Sequence, residues 1–234
     1  FELPAIDMMI HELGNEEGSL EDPPPAPEPG PPVTQPGELW RLGDHLLLCA
    51  DARDAAAYGL LMAGESARMV FTDPPYNVPI QGHVSGLGAT QHREFAMACG
   101  EMGDKAFASF LETCFTNMAA VCADGALHYV CMDWRHMDAM LAAGHAAYTE
   151  LKNLVVWAKS NGGMGSLYRS QHELIFVWKA GPGKHVNNVD LGRHGRNRTN
   201  VWTYPGINSF GNGRDEARAM HPTVKPVAMV ANAL

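Results

Sequence analysis

The tetrapeptide Asp73-Pro74-Pro75-Tyr76 directly follows the apolar segment 69–72. An apolar segment that ends in a proline turn is typical of a buried strand running into a stiff loop. Open α/β sheets bind ligands at the carboxyl ends of their strands. We therefore expect an α/β sheet with a ligand site that begins at Asp73.

The chemistry of this turn suits a flat, amine-bearing ring. The carboxylate of Asp73 and the carbonyl of Pro74 can accept both hydrogens of an exocyclic amine, and the ring of Tyr76 can stack on a base. A plain turn after a strand is the alternative interpretation.

Strand and helix patterns alternate along the rest of the chain. We expect strands at His45–Cys49, Arg68–Thr72, Ala126–Cys131, Leu154–Trp157 and Leu174–Trp178, and helices over Asp54–Met62, from Asp104 onward and over Trp134–Ala143. Such alternation predicts a mostly parallel sheet with helices on both faces. The last two strands are close enough in sequence to pair as an antiparallel edge.

The amino-terminal part differs from the rest. Residues 1–20 have helix-like apolar spacing but form a short segment, which we interpret as the tail of an upstream module. Residues 21–37 hold eight prolines among acidic and small residues, a composition that predicts an extended linker. The folded domain is expected over residues 38–234.

The net charge of −9 argues against nucleic-acid binding, but its distribution argues for it. Residues 152–234 carry eleven basic and four acidic side chains, a net charge of +7. A basic third on an acidic body favours contact with a phosphate backbone. Scattered, solvated lysines and arginines are the alternative.

Other site classes have little support in the sequence. The five cysteines lack C-x-x-C spacing and the eleven histidines lack a ligand pattern, so we expect reduced thiols and no metal site. No apolar run is long enough to span a bilayer and no secretory signal precedes the domain. We expect a cytoplasmic protein without a membrane partner.

Four segments together resemble a known family. Residues 71–77, Phe-Thr-Asp-Pro-Pro-Tyr-Asn, resemble motif IV of the amino-group DNA methyltransferases that use S-adenosylmethionine (SAM). Residues 153–159 and 169–177 resemble the two strands that follow in these enzymes, and residues 221–226 resemble their motif X. Motif IV before motif X is the order of the β class, and the resemblance covers residues 39–234.

The resemblance implies an activity and a fold. The fold would be a Rossmann-like methyltransferase sheet, mostly parallel with an antiparallel edge strand. The reaction would be methyl transfer from SAM to a flipped base in double-stranded DNA, with Asp73, Pro74, Pro75 and Tyr76 as the catalytic residues. Because the motif begins with Asp, adenine N6 is the expected target. Cytosine N4 and a DNA-binding remnant without catalysis are the alternatives.

The resemblance also implies SAM-binding residues. Besides Asp73, these are Asp51, at the position that approaches the SAM adenine amine, and four residues of motif X, namely His221, Pro222, Thr223 and Lys225. A helix amino terminus and Lys225 would both favour a carboxylate. A helix N-cap at Asp51 or Asp54 is an equally good interpretation of that segment, and a simple proline-started helix is the alternative for motif X.

Contacts with DNA are expected from a polar loop in the basic third. The segment 184–200 resembles the place where the family carries its target-recognition region, and its candidate DNA-binding residues are Lys184, Arg193, Arg196 and Arg198. The long loop 81–92, with His83 and His92, is a candidate to close over the flipped base. A homodimer is one of the oligomeric states that the sequence allows.

One motif of the family is missing. The Gly-rich SAM-binding turn should follow motif X, but Phe210-Gly211-Asn212-Gly213 has no apolar strand before it, and Asn161-Gly162-Gly163-Met164-Gly165 matches another motif. We therefore expect an incomplete methyltransferase that lacks the Gly-rich strand and helix.

Overall fold

The computed structural model describes residues 33–80, 94–163, 167–206 and 224–234. Several expectations lie outside these ranges: the tail 1–20, most of the linker 21–37, the loop 81–92, and the motif X residues His221, Pro222 and Thr223. The described helices and strands are β1 (Leu39–Leu42), β2 (His45–Leu48), α1 (Ala55–Met62), β3 (Ala67–Thr72), α2 (Asp104–Ala120), β4 (Cys122–Met132), α3 (Met137–Ala147), β5 (Glu150–Ala158), β6 (His172–Ala180), β7 (Val201–Thr203) and α4 (Val227–Ala233).

Five of the described strands form one sheet in the order β3-β4-β6-β5-β7. Strands β3, β4, β5 and β7 run in one direction, and β6 runs antiparallel to its neighbours β4 and β5. The mostly parallel sheet and the antiparallel pairing of the last two predicted strands are confirmed.

The expected position of the antiparallel strand was wrong. Strand β6 lies inside the sheet, because it pairs with β4 on one side and β5 on the other. It is apolar and buried along most of its length, which suits an interior position. The far side of β5 is covered by β7, a strand of three residues that the sequence pattern did not reveal.

Alternate side chains of the central strands pack on opposite faces of the sheet. On one face, Phe176 and Trp178 of β6 join the apolar side of α2 and α3 in a core cluster. On the other face, Ile175 and Val177 pack with Trp157 of β5 and Met229 of α4. Helices therefore lie on both faces of the sheet, as alternation predicted.

Helix α3 differs from the predicted helix Trp134–Ala143. A short 3₁₀ turn occupies Trp134–His136, capped by Asp133, and the α-helix continues to Ala147. Gly144 does not end the helix. It lies against β6, where an added Cβ would be 2.1 Å from the ring of Trp178.

This close approach leads to a stability prediction. Gly144→Ala should lower the free energy of unfolding by about 1–3 kcal/mol, because the methyl group overpacks the contact with Trp178. Gly59 of α1 is the matched control, since no atom lies within 4 Å of a Cβ added there. Gly59→Ala should raise the free energy of unfolding by up to about 1 kcal/mol. Urea denaturation of both variants checks this, and a Gly144→Ala protein as stable as the wild type would contradict it.

The first predicted strand and helix are also present, outside the main sheet. Strand β2 pairs with β1 in an antiparallel hairpin. Helix α1 follows and is capped by Asp54, whose carboxylate accepts a hydrogen bond from the backbone N–H of Ala56. Residues 49–52, between β2 and α1, lie near Asp73 at the sheet edge where β3 ends.

Candidate functional site

The carboxyl edge of the sheet gathers charged side chains from several strands. Asp73 follows β3, Asp133 follows β4 and Lys159 follows β5. Because β6 runs in the opposite direction, its amino end meets the same edge and places Glu173 opposite Trp157 of β5. This edge is the location that ligand sites of open α/β sheets occupy.

Asp73 is held by two donors. The hydroxyl of Tyr76 donates a hydrogen bond to Oδ1 over 2.8 Å, and the ammonium of Lys225 donates to Oδ2 over 2.7 Å. The side chain of Asp73 keeps 26% of its exposure, whereas that of Lys225 keeps 9%. Asp73 can therefore contact a ligand, whereas Lys225 is nearly buried.

Glu173 shares the same donors. Its Oε2 lies 3.2 Å from the ammonium of Lys225 and 3.1 Å from the hydroxyl of Tyr76, whose single hydrogen is shared between Asp73 and Glu173. Its Oε1 accepts a hydrogen bond from the ammonium of Lys159. Asp73, Glu173 and the two lysines form a network of two negative and two positive charges.

Burial and the charges of the network oppose each other at Lys225 and Glu173. Burial alone lowers the pKa of Lys225, but the carboxylates of Glu173 and Asp73 raise this pKa above its usual value. Burial alone raises the pKa of Glu173, but Lys225 and Lys159 bring it below its usual value. Both side chains are therefore charged at neutral pH.

Tyr76 joins the site to the core. Its ring packs against both core clusters, and the ammonium of Lys225 lies 5.4 Å from the ring centroid. Burial, with the nearby charges of Glu173 and Asp73, raises the pKa of the Tyr76 hydroxyl well above its usual value. The hydroxyl is therefore a permanent hydrogen-bond donor in this network.

A cavity of about 580 Å³ opens beside Asp73. Its walls combine apolar side chains, including Ile80, Phe95 and Phe110, with three carboxylates, those of Asp51, Asp73 and Asp133. A space of this size, apolar with a few polar groups, is typical of small-molecule sites.

Asp51 lies in the wall of this cavity and is not a helix cap. Its carboxylate accepts hydrogen bonds from the side chain of Arg53, with a shortest distance of 2.6 Å, and from the Arg53 backbone N–H. These bonds from Arg53 lower the pKa of Asp51 to about 2. The cap is Asp54, and Asp51 lies in the cavity wall with its carboxylate paired with Arg53.

Asp133 repeats this arrangement at the end of β4. Its carboxylate accepts bonds from the backbone and side chain of Arg135, with a shortest distance of 2.7 Å. Both residues line the cavity. The sequence pattern predicts a helix from Trp134 onward and gives no role to Asp133.

The predicted DNA-binding residues lie elsewhere. Lys184, Arg193, Arg196 and Arg198 are all exposed. The guanidinium of Arg196 lies 3.3 Å from Asp190, and that of Arg198 lies 6.0 Å from the ring centroid of Trp202. Among the described residues that line the cavity beside Asp73, none comes from this loop.

The structure thus brings together Asp73, Tyr76 and Lys225, and places Asp51 in the same cavity wall. Sequence reasoning missed Glu173 and Lys159, although both lie in segments that carried the family resemblance. Lys159 could have been recognised from the sequence as a charged residue at the carboxyl end of an apolar strand. Glu173 lies at the amino end of its strand, so it can be recognised in this way only once β6 is known to be antiparallel.

Other kinds of site find no support in the described parts of the chain. Over residues 33–80, 94–163, 167–206 and 224–234, no group of His, Cys, Asp and Glu could hold a metal ion. The five cysteines are free thiols. Within the same ranges, no helix has the length and apolar character needed to cross a membrane.

Comparison with known protein families gives one match over most of the chain. A family model of N6/N4 type, described as DNA methylase, matches residues 67–234. This range contains β3, the Asp73–Tyr76 turn, the network of Glu173 and Lys225, and the basic loop. No curated protein sequence matches the chain.

Several solved structures are similar at low sequence identity. TTHA0409 of Thermus thermophilus, a putative DNA modification methylase complexed with SAM, is 16% identical over 74% of this chain and 71% of that chain, with a TM-score of 0.43. The cytosine-N4-specific PvuII DNA methyltransferase is 10% identical over 70% of this chain and 61% of that chain, with a TM-score of 0.48. M1.HpyAVI is 13% identical over 67% and 65% of the two chains, with a TM-score of 0.42. The chain thus spans less than two thirds of the PvuII enzyme, and it spans 65% of M1.HpyAVI in one structure and 74% in its SAM complex.

Proposed function

The chain belongs to the N6/N4 DNA methylase family, and from this premise we propose that it transfers a methyl group from SAM to adenine N6 in double-stranded DNA. The observation that carries the proposal is the position of Asp73. It stands in a cavity wall at the carboxyl edge of the sheet, and its carboxylate is partly exposed.

SAM is the expected methyl donor because the family uses it and because TTHA0409 and M1.HpyAVI have each been solved in complex with it. When bound, SAM supplies a methyl group on a positively charged sulfur, which a nitrogen lone pair can attack. The cavity beside Asp73 fits such a ligand, since it combines apolar walls with the carboxylate of Asp51 for an adenine amine. Lys225, the one described member of the expected motif X set, is paired with Asp73 and Glu173.

The protein's own contribution is to position the target amine. The lone pair of an exocyclic amine is delocalised into its ring, so the nitrogen is a weak nucleophile. Hydrogen bonds from the amine to the carboxylate of Asp73 and the carbonyl of Pro74 would draw the nitrogen toward tetrahedral geometry. Pro75 has no backbone N–H and stiffens this turn. Asp73 need not be a strong base, because the nitrogen becomes acidic once it carries the methyl group.

The target base must leave the duplex to reach Asp73. Enzymes that modify bases in duplexes pay the cost of unstacking and hold the flipped base against aromatic side chains. Tyr76 is the aromatic residue beside Asp73 and borders the cavity. The preference for adenine rests on the Asp at the first position of the turn.

The experiment is methyl transfer to duplex DNA of mixed sequence with isotope-labelled SAM, followed by mass spectrometry of the released nucleosides. Labelled N6-methyldeoxyadenosine is the expected product. Labelled N4-methyldeoxycytidine would support DNA methyl transfer but identify cytosine N4, and not adenine N6, as the target. A folded protein that methylates neither base would contradict the proposal.

DNA binding is expected to depend on the exposed basic loop. Arg193→Ala should weaken DNA binding several-fold on all sequences and lower the slope of log affinity against log salt by about one unit, as loss of a phosphate contact does. Arg41→Ala is the control, because Arg41 is an exposed arginine of β1 in the acidic part of the chain. Fluorescence anisotropy over a salt series measures both variants. Equal effects of the two substitutions would contradict a specific role for the loop.

A further inference from the structure

Both carboxylate oxygens of Asp73 already accept hydrogen bonds in the structure. Tyr76 donates to Oδ1 and Lys225 donates to Oδ2. Under the proposed function, the amine of the target base must also bind this carboxylate. A carboxylate can accept about four hydrogen bonds, but the amine competes for Asp73 with the two donors already bound there, and the withdrawal of one donor would give the amine its place.

Glu173 is placed to receive the withdrawing donor. Its Oε2 is within hydrogen-bond distance of the Tyr76 hydroxyl at 3.1 Å and of the Lys225 ammonium at 3.2 Å. A small shift of the ammonium from Asp73 toward Glu173 would free Oδ2 without leaving a buried positive charge unpaired. An unpaired buried charge would be costly, and this shared acceptor avoids that cost.

Lys159 keeps Glu173 in place during such an exchange. It binds the other carboxylate oxygen, Oε1, and its ammonium lies 4.5 Å from the ring centroid of Trp157. The ammonium of Lys225 is 6.0 Å from the same ring. Glu173 is thus fixed from one side by Lys159 and faces Lys225 and Tyr76 with its second oxygen.

We propose that Glu173 is a positioning residue for the methyl transfer: it retains the Lys225 ammonium while the target amine takes the place of that ammonium on Asp73. This proposal rests on the proposed function and adds to it a residue that acts through Lys225. In a purely structural role, Glu173 only neutralises the two lysines. Removing Lys225 or removing Lys159 should then change the effect of a Glu173 substitution to the same extent.

The test is a double-mutant cycle on the single-turnover rate of methyl transfer, measured with labelled SAM and mixed-sequence duplex DNA. Glu173→Gln keeps the size of the side chain but removes its charge, so Lys225 should stay on Asp73. The rate should fall roughly 10- to 100-fold, as expected for loss of a hydrogen bond between charged groups. In a Lys225→Met background the same substitution should change the rate less than about threefold, because no ammonium remains to be moved.

Lys159→Met provides the matched background. It removes the other lysine of Glu173 but leaves the contact between Lys225 and Asp73. Glu173→Gln should keep the larger part of its effect in this background, because the Lys225 ammonium is still present. Glu173→Asp retains the charge and should retain more of the rate than Glu173→Gln, which also gives a second variant if the glutamine protein folds poorly. Circular dichroism and thermal unfolding establish which variants are folded.

The outcomes separate the two proposals. A wild-type protein that methylates no base would overturn the proposed function and this role with it. An active wild type in which Glu173→Gln has no effect, or has the same effect with and without Lys225, would overturn only the role of Glu173. The role is supported if Glu173→Gln loses its effect on the rate in the Lys225→Met background but not in the Lys159→Met background.

Discussion

Asp73→Ala is expected to lower the rate of methyl transfer roughly 10²- to 10³-fold, the range observed when one group that stabilises a transition state is removed. The carboxylate is the acceptor that the target amine requires, and no other carboxylate takes its place in the turn 73–76. Initial rates with labelled SAM and duplex DNA measure the effect. A variant that methylates DNA at the wild-type rate would overturn the assignment of the site.

The fold should survive this substitution. Asp73 is partly exposed, and Lys225 keeps Glu173 as a partner when Asp73 is lost. Asp73→Asn preserves the shape of the side chain and one acceptor oxygen but removes the charge, so its loss of rate should be smaller than that of Asp73→Ala. Asp104→Ala is the control, because Asp104 is an exposed acid in the first turn of α2. Its rate should equal that of the wild type.

Local patterns were sufficient to predict the turn at Asp73 and most of the strands. Two prolines shortly after an apolar segment prevent the strand from continuing, and β3 ends at Thr72 as the pattern predicted. The segment around Asp51 shows the limit of such reasoning. Both Asp51 and Asp54 suit a helix cap, and only the structure distinguishes the cap, Asp54, from the residue in the cavity wall, Asp51.

The parts that sequence reasoning missed depend on strand order. Glu173 reaches Asp73 only because β6 is antiparallel and its amino end meets the carboxyl ends of β4 and β5. Strand β7 has three residues and therefore no readable alternation, although its pairing with β5 makes β7, and not β5, the last strand of the described sheet. The expected incompleteness of the domain and the roles of His221, Pro222 and Thr223 stay predictions.

Substitutions of Tyr76 should separate the contribution of its ring to activity from that of its hydroxyl group. If the ring supports the flipped base, Tyr76→Phe should keep most of the activity, because it retains the ring and loses only the hydroxyl bonds to Asp73 and Glu173. Tyr76→Leu keeps apolar volume but removes the aromatic face. Stacking of a base on an aromatic ring contributes about 1–3 kcal/mol, so the leucine variant should lose roughly 5- to 150-fold in kcat/KM for DNA.

Thermal stability and affinity for SAM, measured for both variants, separate a loss of base stacking from a general loss of structure. Tyr76 packs against both core clusters, so leucine should also lower the thermal stability. The affinity for SAM, measured by calorimetry, should change little in either variant, because stacking concerns the DNA base. If phenylalanine loses as much activity as leucine, the hydroxyl bonds matter and the ring does not. Tyr76 would then act by orienting Asp73, and the aromatic partner of the target base would have to be another residue of the cavity wall.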